Sequence, residues 1–211
     1  MKKSIITLLV LAAVFTAFKS AKKESIVLNE EVKMNVNVVA DNVDLTTSVL
    51  NWKGSKPTGS HNGTVALKSG NLEVVKGSLK GGVFVVDLST IKCVDLAGSD
   101  GAGKLEGHLK GEDFFDIAKY PTSTFTITKV KNNGGKLAVT GNLQIKDVTK
   151  SITIPAMITT ENGVTVFTSE VFNINRTDFN VKYGSKSFFD NLKDKFIDDM
   201  MEMSFVVKTK A

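Results

Sequence analysis

The sequence predicts an all-β chain folded as an antiparallel up-and-down barrel, with one or two short helices. Three observations carry that prediction. Apolar and polar residues alternate with a period of two along several stretches, as they do in strands with one dry and one wet face. Short segments rich in residues that tolerate positive φ separate those stretches, which makes tight hairpins rather than crossovers. The strands are long and mostly joined to their neighbours, and closing them into a barrel removes exposed edges.

The N-terminus comes first. Lys2 and Lys3 precede an apolar run from Ile5 to Phe18. A basic start before an apolar stretch of this length reads as an export signal, too short for a spanning helix. Residues 1–20 are therefore assigned to a signal peptide, residues 21–37 to a flexible lead-in and residues 38–211 to one barrel domain. No cysteine follows the run to carry a lipid, so the expected location is periplasmic or secreted, with no transmembrane segment in the mature chain.

The alternation begins with Val32, Met34, Val36 and Val38 against Lys33, Asn35 and Asn37. It returns in Leu137, Val139, Leu143 and Ile145, then in Ile152, Ile154, Ala156 and Ile158, and finally in Met201, Met203, Phe205 and Val207. Turns are expected at Ser69-Gly70-Asn71, Lys80-Gly81-Gly82, residues 132–135 and Glu161-Asn162-Gly163. Pro155 has no N–H to give and is expected at a bulge or a ladder-free position. Two segments break the pattern. Residues 104–120 place Leu105 and Leu109 at helical spacing. Residues 187–198 set Phe188, Phe189, Leu192 and Phe196 on one helical face behind a Ser187 cap.

Composition narrows the chemistry. Three units of the net charge of +5 come from Lys2, Lys3 and Lys19, and the other lysines are spread along the chain. That distribution excludes a dedicated nucleic-acid surface. Cys93 is the only cysteine and has no partner within the chain; it reads as a small half-buried side chain near a strand end. His61 and His108 are the only histidines, and neither stands in a metal-ligand spacing. No Gly-x-Ser-x-Gly elbow occurs. The glycine-rich residues 98–103 lack the Lys-Ser/Thr ending of a phosphate loop. The expectation is no catalytic residue, no metal and no cofactor.

Three residues stand out. Arg176 is the only arginine among 27 basic residues. A planar fork is needed where a carboxylate, carbonyl or phosphate must be met at fixed geometry. It precedes Asp178 at a strand end, in an ion pair that pins the strand or in contact with a ligand. Trp52, the only tryptophan, anchors a core or lines a wall. His108 reads as a structural histidine or as a polar group at a cavity mouth. Leaving out Phe15 and Phe18 of the leader, eleven phenylalanines against two tyrosines and one tryptophan suit a dry tunnel, since phenylalanine has no polar group to satisfy.

Several blocks together resemble the YceI family of exported lipid-binding proteins. They are residues 44–56 (DLTTSVLNWKGSK), His61-Asn62-Gly63, residues 81–91 (GGVFVVDLSTI), 105–121 (LEGHLKGEDFFDIAKYP), 141–154 (GNLQIKDVTKSITI) and 175–183 (NRTDFNVKY). The resemblance implies an extended, lipocalin-like barrel of eight antiparallel strands. It also implies a polyisoprenoid or isoprenoid quinone in the lumen, for carriage or storage. Alternation and position in these blocks nominate Trp52, Phe84, Phe114, Phe115, Phe125, Leu143, Ile154, Phe172 and Phe179 for the lumen wall. His108, Arg176 and Asp178 are nominated as polar groups at the mouth or in a structural role. The expected partner is a long-chain isoprenoid or other lipid, and a homodimer is compatible with the sequence. Two other readings are open. A scaffold whose loops bind a partner would have a collapsed lumen. A lipid-acting hydrolase or isomerase would need His108 within reach of Asp113 or Asp116.

Overall fold

The computed structural model describes residues 42–210. The signal peptide, the lead-in and the strand expected at residues 32–38 lie outside the described residues. Within them the elements are β1 (Val49–Lys56), β2 (Gly59–Val75), β3 (Ser78–Cys93), α1 (Asp100–Lys110), β4 (Thr122–Asn133), β5 (Lys136–Ile145), β6 (Val148–Glu161), β7 (Val164–Ser169), β8 (Phe172–Asn175) and β9 (Met200–Lys208). Each strand pairs antiparallel with the next from β1 to β7. β9 pairs with β7 at its end and with β8 at its start. β7 and β8 thus follow one another along a single wall position, and β9 closes the ring onto β1. The barrel has eight wall positions, as the family resemblance implies.

Alternation decides what faces inward. Along β5, Leu137, Val139, Leu143 and Ile145 are buried while Lys136 and Asn142 are exposed. Gly141 takes the remaining inward position because the Phe125 ring from β4 lies directly over it, where a Cβ would collide. Pro155 sits opposite Ala138 in the ladder to β5, and its carbonyl accepts from Glu170 N–H at 3.0 Å. Pairing to β7 starts at the following residue, Ala156. The missing N–H of Pro155 therefore falls just beyond the end of the β6–β7 ladder, where no ladder bond needs it.

Two expected turns are not turns. Ser69-Gly70-Asn71 runs inside β2, and Lys80-Gly81-Gly82 inside β3. The hairpin between them turns instead at Lys76-Gly77, both with positive φ (50° and 73°), the geometry that a two-residue hairpin needs. Gly70 serves packing rather than turning: a Cβ there would stand 3.0 Å from the Val43 side chain and 3.2 Å from Phe84. The turns at Gly134-Gly135 and Asn162-Gly163 form as predicted, with positive φ throughout.

The helix expected at residues 187–198 does not form. Asn191 and Lys193 have φ of 63° and 50°, which interrupts a right-handed helix. Phe188 and Phe189 are each 49 % exposed, and the segment keeps only a 3-10 turn, Lys193–Lys195. Ser187 does not cap; its hydroxyl donates to Asp199 Oδ2 at 2.6 Å. The other helical segment begins earlier than expected, at Asp100, and ends at Lys110 in α1.

Candidate functional site

The barrel encloses a cavity of about 360 Å³, within the usual size range of small-molecule sites. Every strand contributes to its wall, and most of that wall is aliphatic or aromatic. Residues 42–44 occupy one end. Asn42 exchanges hydrogen bonds with the Leu72 backbone at 2.8 and 2.9 Å, and Asp44 N–H donates to Lys208 O at 2.8 Å. Val43, 1 % exposed, fills that end against Gly70 and Phe84. The charged and polar members of the wall gather elsewhere: Lys53 and Lys56 on β1, His61 on β2, His108 on α1, then Arg176 and Asp198. Hydrogen bonds to the backbone hold these elements together. Asp198 N–H donates to Ser55 O at 2.8 Å, and Cys93 N–H on β3 donates to Glu106 Oε1 on α1 at 3.0 Å. The cavity has an apolar closed end and a polar end.

Of the nine nominated wall residues, Trp52, Phe84, Phe114, Phe115, Phe125, Leu143, Ile154 and Phe172 line this cavity. Phe179 does not. It is buried at 2 % exposure in the 3-10 turn Arg176–Phe179, packed in the core beside the lumen. Alternation assigns no face there because the strand has already ended at Asn175. Several wall residues were not nominated, notably Phe167, Phe205, Ile174, Met201 and Met203. Phe167 and Phe205 rings lie 4.8 Å apart, and Phe84 stacks on Phe167 at 6.1 Å. The period-two run through β9 puts Met201, Met203, Phe205 and Val207 on one face, but strand pairing decides which face that is.

Arg176 is 1 % exposed. Its Nε donates to Asp198 O at 3.0 Å, Nη1 to Val181 O at 2.8 Å and Nη2 to Ile197 O at 2.9 Å. The carboxylate nearest its fork is Asp199, at 3.5 Å; Asp178, nominated beside it, is not on the wall. Burial pulls the guanidinium pKa down, and the charges of Asp199 and Asp198 oppose that. Burial alone would raise Asp199, but hydrogen bonds from Ser185 and Ser187 and the charge of Arg176 outweigh it and hold the carboxyl low. Arg176 also stands 5.7 Å over the Phe114 ring. It is a structural clasp whose flank reaches the lumen.

His108 meets Phe114 and Tyr183 edge-on, at 5.2 and 4.6 Å between ring centres. Its Nε2 stands 3.9 Å from Asp113 Oδ2, beyond hydrogen-bond reach.

The YceI-like domain family matches residues 41–209. The chain belongs to that family. A YceI protein of Salmonella arizonae is 45 % identical over 51 residues, a stretch covering 24 % of this chain and 27 % of that protein. The chain thus matches about a quarter of the length of its curated relatives. Among solved structures, BcnA of Burkholderia cenocepacia superposes with a TM-score of 0.65 at 22 % identity, over 80 % of this chain and all of that one. A polyisoprenoid-binding domain from Saccharophagus degradans gives 0.62 at 19 % identity, over 82 % of this chain and 98 % of that domain. At these identities the two structures establish a shared YceI-like barrel fold.

Proposed function

We propose that this YceI-like barrel is an exported, non-catalytic carrier or store that holds one long, narrow lipid of the polyisoprenoid or isoprenoid-quinone class in its lumen. The cavity carries the reading: it is lined by apolar side chains from every strand, closed at the Val43 end and polar at the other. Burial stabilises such a chain by about 0.8 kcal/mol per CH₂, so several isoprene units supply ample gross driving force, although net affinity saturates far below the sum. With so few polar groups on the wall, shape selects the ligand. The polar end suits a head group, and the tail would run toward Phe84, Phe167 and Phe205. The resemblance to a polyisoprenoid-binding domain supports the class of ligand, and the basic-then-apolar leader supports action in a periplasm or outside the cell. The scaffold reading requires a lumen filled by its own side chains, and the open cavity disfavours it.

The test is organic extraction of protein purified without detergent from its native host, followed by mass spectrometry. Stoichiometric long-chain isoprenoid is expected from the wild type, and much less from Leu143→Trp, which narrows the lumen. Protein that carries no lipid, and takes none up from added polyprenol, would overturn the proposal.

A further inference from the structure

We propose that His61, Cys93 and Asp95 form a binding site for a zinc-class divalent cation at the polar end of the barrel. Sequence spacing does not bring these residues together; the barrel does. His61 lies on β2, Cys93 is the last residue of β3, and Asp95 follows two positions later. Gly63 pairs with Cys93, and Val94 N–H donates to Asn62 O at 2.8 Å, so the two strand ends are locked side by side. One donor atom from each side chain falls within 4.8 Å of the others. Asp95 bridges the group: Oδ2 stands 2.8 Å from His61 Nδ1, and Oδ1 accepts from Cys93 Sγ–H at 3.3 Å and from Asn62 N–H at 2.8 Å.

The donor chemistry selects the ion. A thiolate, an imidazole nitrogen and a carboxylate oxygen form a mixed soft and hard set that suits zinc over calcium or magnesium. Tetrahedral zinc places its donors about 3.3–3.7 Å apart, so the present arrangement needs side-chain adjustments of about an ångström. Cys93 is 4 % exposed, whereas the His61 and Asp95 side chains are 33 % and 29 % exposed. An ion seated on the outer side of the sulfur would therefore keep a fourth position open to solvent. Asp95 is held in place beside the sulfur by the Asn62 N–H, which donates to its Oδ1 at 2.8 Å. Burial, with the nearby Asp95 and Glu106 carboxylates, raises the Cys93 thiol pKa. The ion thus displaces the thiol proton to solvent, while Nδ1 of His61 supplies its lone pair with the ring proton on Nε2. Two anionic donors then neutralise the dication. A nucleophilic Cys–His pair fits less well, because the carboxylate bonds to both groups and the thiol pKa is raised rather than lowered.

The test uses the full chain freed of metal with a chelator and titrated with Co²⁺, then Zn²⁺. The wild type should develop a one-to-one thiolate-to-cobalt charge-transfer band in the near ultraviolet, and Zn²⁺ should abolish it. Cys93→Ser should lack the band. His61→Ala and Asp95→Asn should each weaken Zn²⁺ affinity by about 100-fold or more, exceeding the usual loss of an outer-sphere partner, as read by competition with a chromophoric chelator. Should Cys93→Ser fail to fold, protection of the wild-type thiol from alkylation by Zn²⁺, absent in His61→Ala, decides the same question. A wild type with no thiolate band, or Zn²⁺ affinities equal across wild type and variants, overturns the proposal.

Discussion

Arg176 holds a segment that no ladder holds. Three of its N–H groups reach the backbone carbonyls of Val181, Ile197 and Asp198, so one side chain ties residues 176–181 to the stretch entering β9. A lysine carries a single ammonium and cannot span three carbonyls in one plane. Replacing Arg176 with methionine leaves those three carbonyls without this donor and removes the charge that faces Asp199. The expected cost is about 3–5 kcal/mol, measured as a lower urea midpoint with an unchanged slope. Being the only arginine marked this residue in the sequence. Its partners could not be read there, because they are main-chain carbonyls brought near by tertiary folding.

At the scale of elements, the strands were legible and their interruptions less so. Period-two runs in β5, β6 and β9 name their own apolar faces. Gly70, Gly81 and Gly82 look like turn residues but lie in strand interiors, and Gly70 leaves space for Val43 and Phe84. A glycine that turns the chain and a glycine that makes room for a neighbour are the same letter. Residues 187–198 mislead in the opposite way. Their apolar residues fall at helical spacing, yet a short helix is stabilised mainly by packing of its apolar face, and here Phe188 and Phe189 remain half exposed. The Phe125–Gly141 contact offers a direct test of the packing logic. Gly141→Val would drive a side chain into the Phe125 ring, and a loss of about 1–3 kcal/mol is expected from overpacking. The double variant Gly141→Val with Phe125→Ala should recover part of that loss in thermal denaturation.

For the whole molecule, the barrel and its proposed ligand are linked by mass action. A lipid that binds only the folded chain stabilises it by about 2.7 kcal/mol at a free concentration 100 times its Kd. Extracting the lipid should therefore lower Tm, and adding polyprenol to the stripped protein should restore it in a concentration-dependent way. A Tm indifferent to stripping and reloading would count against lipid in the lumen. The wall clarifies what was and was not readable about the site. Eight of nine nominated residues line the cavity: six lie on strands where alternation holds, and Phe114 and Phe115 come from the turn segment between α1 and β4. Phe179 does not line it, because it lies just past a strand end. Phe167 was missed, and the apolar face of β9, although named by its alternation, was not assigned to the lumen, because which side of the sheet a face takes is set only once the neighbouring strand is in place.

An antiparallel barrel, its apolar strand faces, two of its tight turns and the resemblance to the YceI family were all legible in the order of residues. These rest on local rules: a period of two, residues that tolerate positive φ, and motifs in a set order. Folding was needed to show that β7 and β8 share one wall position, that Arg176 clasps carbonyls rather than Asp178, and that Val43 fills one end of the lumen. It alone brought His61 beside Cys93 and Asp95. Each of these depends on register between strands far apart in the chain, and a shift of one residue would send every side chain of a strand to the opposite face.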